Sequence, residues 1–162
     1  MLAAMCAVLG AVSIDLGNIK LTLESLPVML GALLFGPADG ALIGLVGTLL
    51  YQVLRYGVTV TTPLWVVPYV VCGLVMGDSA KKCGFELTTK KTIFVSVLAN
   101  LLVTTLNTAV MYLDSKIFGY YSNAYIFGSI VVRYVVCAAK AILFGALLPP
   151  LVKYLREEIL RT

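Results

Sequence analysis

Three basic side chains, Arg55, Arg133 and Lys140, sit inside stretches that otherwise read as membrane. No acidic residue within those stretches is placed to pair with them. A charge at the centre of a bilayer costs roughly 2.5–3.5 kcal/mol even on lenient scales. Such residues point to an internal site for a negatively charged solute. A guanidinium is a rigid fork that grips a carboxylate through two parallel hydrogen bonds. Trp65 and Tyr69, at i and i+4, offer flat faces for ring stacking. Gln52 and Asn107 offer paired donor and acceptor groups that suit the edge of a heterocycle. As a set they fit a planar, carboxylated molecule. Each also has a plainer role: Arg55 and Lys140 have stems long enough to snorkel, Trp65 suits an interfacial belt, and Asn100 and Asn107 suit bonds between helices.

The chain has no histidine. That removes the commonest general base and metal ligand, and every Ser-His or Cys-His pair. Cys6, Cys72, Cys83 and Cys137 form no CxxC, and three of them lie in apolar stretches. They read as small packing residues rather than as metal ligands or a disulfide framework. No catalytic residue, metal site or cofactor is expected. The phosphate-loop pattern GxxxxGK[ST] is also missing.

The elements that must position these residues are membrane helices. Sixty per cent of the 162 residues are apolar and 12% are charged, against about 25% charged in soluble domains. Mean hydropathy is +1.00. The length suffices for five or six spans of about 20 residues, with no soluble domain left over. The net charge of +4 sits at loops and tail and does not suggest nucleic acid. The expected fold is an all-α integral membrane protein, a six-transmembrane-helix bundle forming one substrate-binding domain over residues 1–162.

Met1–Ile14 lacks a basic n-region, so it reads as a short first span rather than a cleavable signal. Asp15–Ser25 alternates apolar and polar residues, which predicts an extended segment lying at a surface. Spans two to six are predicted near 27–35, 39–56, 63–76, 92–113 and 125–148, with Pro149-Pro150 interrupting the last. Small residues recur every fourth position at Ala3, Ala7 and Ala11 and at Gly36, Gly40 and Gly44, a spacing that lets helices approach closely. Lys81, Lys82, Lys90, Lys91, Lys153, Arg156 and Arg161 fall on one side of six spans. The positive-inside rule makes that side, and both termini, cytoplasmic. Gln52, Arg55, Trp65, Tyr69, Asn107 and Arg133 then fall in the outer half, with Lys140 two turns deeper, under a cap formed by 15–25.

The alanine stripe, the stretch LPVMLGALLFGPADGALIG (26–44) and the stretch RYGVTVTTPLWVVPYVVCGLVMG (55–77) resemble the substrate-binding S components of energy-coupling factor (ECF) vitamin transporters, folate type most of all. The resemblance covers essentially the whole chain. It implies a prokaryotic plasma-membrane protein, not an enzyme, that binds its vitamin tightly from outside. Lys20, Thr22 and Glu24 would belong to a gating loop. Ala3, Ala7 and Ala11 would contact a transmembrane coupling subunit, which is joined by two cytoplasmic ATPases. Release would follow toppling of the S component in the membrane. Folate suits the predicted site: Trp65 or Tyr69 would stack, Gln52 or Asn107 would make amide contacts, and Arg55 or Arg133 would clamp carboxylates. Pantothenate, biotin, riboflavin and thiamine are the alternative cargoes, thiamine fitting worst because it is a cation. A small intramembrane enzyme and a self-sufficient channel or exporter are the readings from other classes.

Overall fold

A computed structural model describes residues 1–12, 14–16 and 19–161, with side chains described outside 13–21, 124–127, 129 and 159–162. Six helices run in chain order: α1 (Leu2–Ala11), α2 (Ser25–Phe35), α3 (Pro37–Tyr56), α4 (Thr62–Lys82), α5 (Thr89–Ile117) and α6 (Asn123–Arg161). Between α1 and α2 lies a small antiparallel hairpin, β1 (Ile14–Leu16) and β2 (Ile19–Leu21), in register Ile14↔Leu21, Asp15↔Lys20 and Leu16↔Ile19. Of the expected 15–25 extended segment, residues 15–16 and 19–21 are strand, Ser25 already belongs to α2, and residues 17–18 lie outside the described residues. The six expected helices are present, but among the described residues only α3, α4, α5 and residues 130–158 of α6 are long and apolar enough to cross a membrane.

Helix α2 explains part of the difference. At 1.5 Å per residue its 11 residues span about 16 Å, short of a hydrocarbon core of about 30 Å. Ser25 to Leu33 are all buried. A helix that is apolar on every side is a core helix, and α2 fills that place. Met29, Leu30 and Leu33 pack with Cys72 and Met76 of α4, Ala99 and Val103 of α5, and Phe144 and Leu148 of α6.

The long helices are built the other way round. On α3 the buried residues are Gly40, Gly44, Gly47, Thr48 and Tyr51, while Leu42, Leu45, Val46, Leu49 and Val53 are exposed. Small and polar groups face the bundle and large apolar groups face out, as lipid favours. The glycines set the spacing. A Cβ on Gly73 would lie 2.3 Å from the backbone carbon of Gly40, and one on Gly77 would lie 2.3 Å from the nitrogen of Pro37. Helices α3 and α4 thus cross backbone against backbone. Helix α1 does the same on α3, where a Cβ on Gly47 would meet Cys6 Cβ at 2.6 Å.

Two sequence expectations change. The proline pair does not interrupt the last helix, because α6 continues through Pro149 and Pro150 to Arg161. The alanine stripe does not form one open face. Ala7 is 6% exposed, Ala3 is half-buried with its carbonyl beside Gly47, and Ala11 is exposed.

The basic clusters do gather. Arg156 of α6 donates to the carbonyl of Phe85, which joins the far end of α6 to the connection carrying Lys81, Lys82, Lys90 and Lys91 at its borders. The opposite end holds the 57–61 and 118–122 connections.

Candidate substrate cavity

Toward that opposite end the bundle encloses a cavity of about 420 Å³, within the range of about 300–1,000 Å³ usual for small-molecule sites. Each wall follows from helical spacing. Tyr51, Gln52 and Tyr56 come from the last turns of α3, and Trp65 and Tyr69, one turn apart, from α4. Thr104, Asn107 and Asp114 come from α5, and Arg133, Val136, Cys137 and Lys140, at 0, +3, +4 and +7, from α6. Thr59, Thr61 and Phe118 close the loop end, and Thr22 and Glu24 enter from the segment before α2.

Gln52, Trp65, Tyr69, Asn107, Arg133 and Lys140 are therefore brought together, with Thr22 and Glu24 of the expected loop. Arg55 is not: it is exposed at the end of α3 and forms no part of the wall. Its neighbour Tyr56 turns in instead, edge-on to Tyr51 with ring centres 6.0 Å apart. The side chain of Lys20 lies outside the described residues. Asn100 is buried and donates to the Ser96 carbonyl at 2.9 Å, away from the cavity wall.

Several wall groups escaped the sequence reading. Asp114 repeats the Asn100–Asn107 interval of seven, so the same face of α5 delivers it. Cys137 and Val136 fill the stripe between Arg133 and Lys140. Tyr51 carries no signal beyond its place beside Gln52. Thr59, Thr61 and Thr62 join their hydroxyls, with Thr59 and Thr62 at 2.9 Å, and Thr62 Oγ1 accepts from the Thr59 amide at 2.9 Å. This cluster fixes the entry to α4.

Helical rise sets the levels. Asn107 lies ten residues from the end of α5 (117 − 107) and Arg133 ten residues from the start of α6 (133 − 123), so they sit at similar depth. Asp114 is three residues from that end, toward the loops. Lys140 lies seven residues beyond Arg133, about 10 Å deeper. Arg133 Nη2 donates to Met111 Sδ at 2.8 Å, and a thioether is a weak acceptor that a carboxylate outcompetes. Asp114 accepts from the Tyr120 hydroxyl.

The deep end holds the acid that the sequence reading assigned to the gate. Glu24 is 4% exposed. A Cβ on Gly10 of α1 would lie 2.9 Å from both Glu24 Oε2 and Tyr51 Cδ2, so only glycine lets α1 close over this carboxyl. Cys6 Sγ donates to the Glu24 carbonyl at 3.1 Å. Burial pushes the Glu24 carboxyl up to about 7, against the pull of Lys140 and a Thr22 hydrogen bond. The expectation that no acid faces the buried cations is thus corrected. Glu24 and Asp114 share the cavity with Lys140 and Arg133, because both acids stand at ends of elements that the span-by-span reading left out.

Two buried acceptors on residues that line this space, Glu24 Oε2 and Asn107 Oδ1, have no hydrogen-bond partner among the described residues. Buried polar atoms are ordinarily satisfied, so a bound molecule is the natural source of the missing donors.

Residues 1–152 match the family model of the ECF transporter, substrate-specific component. No curated protein matches the chain. The chain belongs to that family, one of transporter subunits and not of enzymes. With four helices of crossing length it is a multi-pass membrane protein.

Proposed function

We propose that this subunit captures folate from outside the cell for a vitamin importer of the ECF type. The observation that carries the reading is the convergence of Trp65, Tyr69, Gln52, Asn107, Arg133 and Lys140 on one cavity. Its aromatic wall suits a flat pterin and aminobenzoyl ring. Its amides suit a heterocycle's polar edge. Arg133 suits a carboxylate, to which it would turn from Met111.

In this reading the chain lies in a prokaryotic plasma membrane with all six helices in the bilayer, α1 and α2 as short segments. The lysine-rich end and both termini are cytoplasmic, following the positive-inside rule. The cavity then opens outward, and the β1–β2 hairpin with Thr22 gates it. A transmembrane coupling subunit and two cytoplasmic ATPases drive release as the subunit topples. Because Ala7 is covered within the chain, the coupling contact falls on the open face of α1, at Ala4, Val8 and Ala11. The decisive experiment is mass spectrometry of the molecule that co-purifies, followed by calorimetry with the pure compound. Folate supports the reading; another vitamin bound in its place overturns the cargo.

A further inference from the structure

Charge in the cavity is balanced rather than positive: Asp114 and Glu24 stand with Arg133 and Lys140. A simple organic acid would answer Arg133 and leave the deep end unsatisfied. There Glu24 Oε2 is a buried acceptor without a partner, and Lys140 faces the same space as a donor. An acceptor and a donor offered by one cavity can complement a lactam edge, in which a ring N–H adjoins a C=O. The geometry points to Glu24 and Lys140 as the pair that reads such an edge, with Asn107 Oδ1 taking a further N–H and Arg133 taking a carboxylate one level nearer the loops. The cargo is then a nitrogen heterocycle with a lactam or ureide edge and a separate acid group. This assignment deepens the proposed function and makes Glu24 a specificity residue rather than a part of the gate.

The surroundings of Glu24 agree. Cys6 and Gly10 on α1, Tyr51 on α3 and Lys140 on α6 enclose it, with Thr22 beside it. Burial raises its carboxyl to about 7. A ring N–H donating to it favours the ionised form, so binding at pH 7 releases protons.

The test uses the purified full chain and five vitamins: folate, biotin, pantothenate, riboflavin and thiamine. The tightest binder is expected to be folate or biotin, the two that join an N–H/C=O ring edge to a carboxylate. Glu24→Gln is expected to weaken that binder at least tenfold and to abolish the proton release seen by calorimetry in buffers of different ionisation enthalpy. For folate, p-aminobenzoylglutamate, which has the acid without the lactam ring, should bind wild type and Glu24→Gln alike. Biotin as the tightest binder supports this assignment while removing folate as the cargo. Pantothenate, riboflavin or thiamine as the tightest overturns it, as does an unchanged affinity in Glu24→Gln. No binding by any of the five overturns both readings.

Discussion

Substituting Gly73 by alanine is expected to disturb the whole frame of the site. The new Cβ would lie 2.3 Å from the backbone carbon of Gly40, 2.4 Å from its oxygen and 2.6 Å from the nitrogen of Ala41. Carbon atoms rest at about 3.5–4.0 Å, so the helices must part by about 1 Å. Rotation of a side chain gives no relief, because the three nearest atoms are all backbone. Overpacking of this kind costs typically 1–3 kcal/mol, and the backbone contact places Gly73→Ala at the upper end. The separation also reaches the cavity. Tyr69 stands one turn from Gly73, and its carbonyl lies 2.7 Å from where a Cβ on Gly44 would be. Parting α3 from α4 therefore draws Tyr51 and Gln52 away from Trp65 and Tyr69. Gly145→Ala is the control, since its Cβ would meet only Ile93, at 3.4 Å or more. Thermal unfolding in detergent should show a drop of several degrees for Gly73→Ala and little change for Gly145→Ala. Folate affinity, read by quenching of Trp65, should fall in parallel. Equal stability of the two variants would refute the claim that the α3–α4 crossing is set by backbone contact.

Arg133→Gln removes a charge-assisted contact worth about 1.5–3 kcal/mol, so calorimetry should show folate binding weakened by roughly 10- to 150-fold. Arg55→Gln should leave it unchanged, since Arg55 lies outside the cavity. Asn100→Leu should likewise retain binding, because among the described residues Asn100 bonds to its own helix, at the Ser96 carbonyl, and lies off the cavity wall. Glu24 gives a pH dependence. Its carboxyl is raised from 4.5 to about 7 by burial, so its contribution to stability is fully present below pH 4.5 and is lost as pH rises through 7. The stability of wild type relative to Glu24→Gln should therefore fall across that window in denaturant titrations of the empty protein, and a flat difference would contradict the buried carboxyl.

How much of this was legible depends on the kind of signal. The long helices were, because leucine and valine facing outward and glycine every fourth position facing inward leave a plain trace at 40, 44, 73 and 77. Helix α2 was readable as a helix but not as the centre of the bundle. Its apolar circumference says only that it is surrounded, and lipid and protein surround equally well. The alanine stripe is ambiguous for a related reason. Small residues mark a close contact without naming the partner, and here Ala7 is covered by the chain itself while Ala11 is exposed.

The site divides the same way. Cations were visible because a lysine or arginine in an apolar run is an anomaly that demands an explanation. The acids were not, since Glu24 and Asp114 occur among ordinary loop residues, where carboxylates cause no surprise. Their burial arises only when α1 folds back over Glu24 through Gly10 and when α5 extends past Leu113 to bring Asp114 inside. That difference changes the chemistry. Two cations alone would select for negative charge and admit many acids. Two cations faced by two acids select for a pattern of donors and acceptors along a molecule, and reject a plain anion that leaves Glu24 and Asn107 unanswered. Selectivity should therefore survive removal of net charge better than removal of pattern. Pairing Glu24→Gln with Lys140→Met keeps the balance, yet it should impair discrimination of folate from p-aminobenzoylglutamate as much as Glu24→Gln alone, whereas a purely electrostatic cavity would recover it.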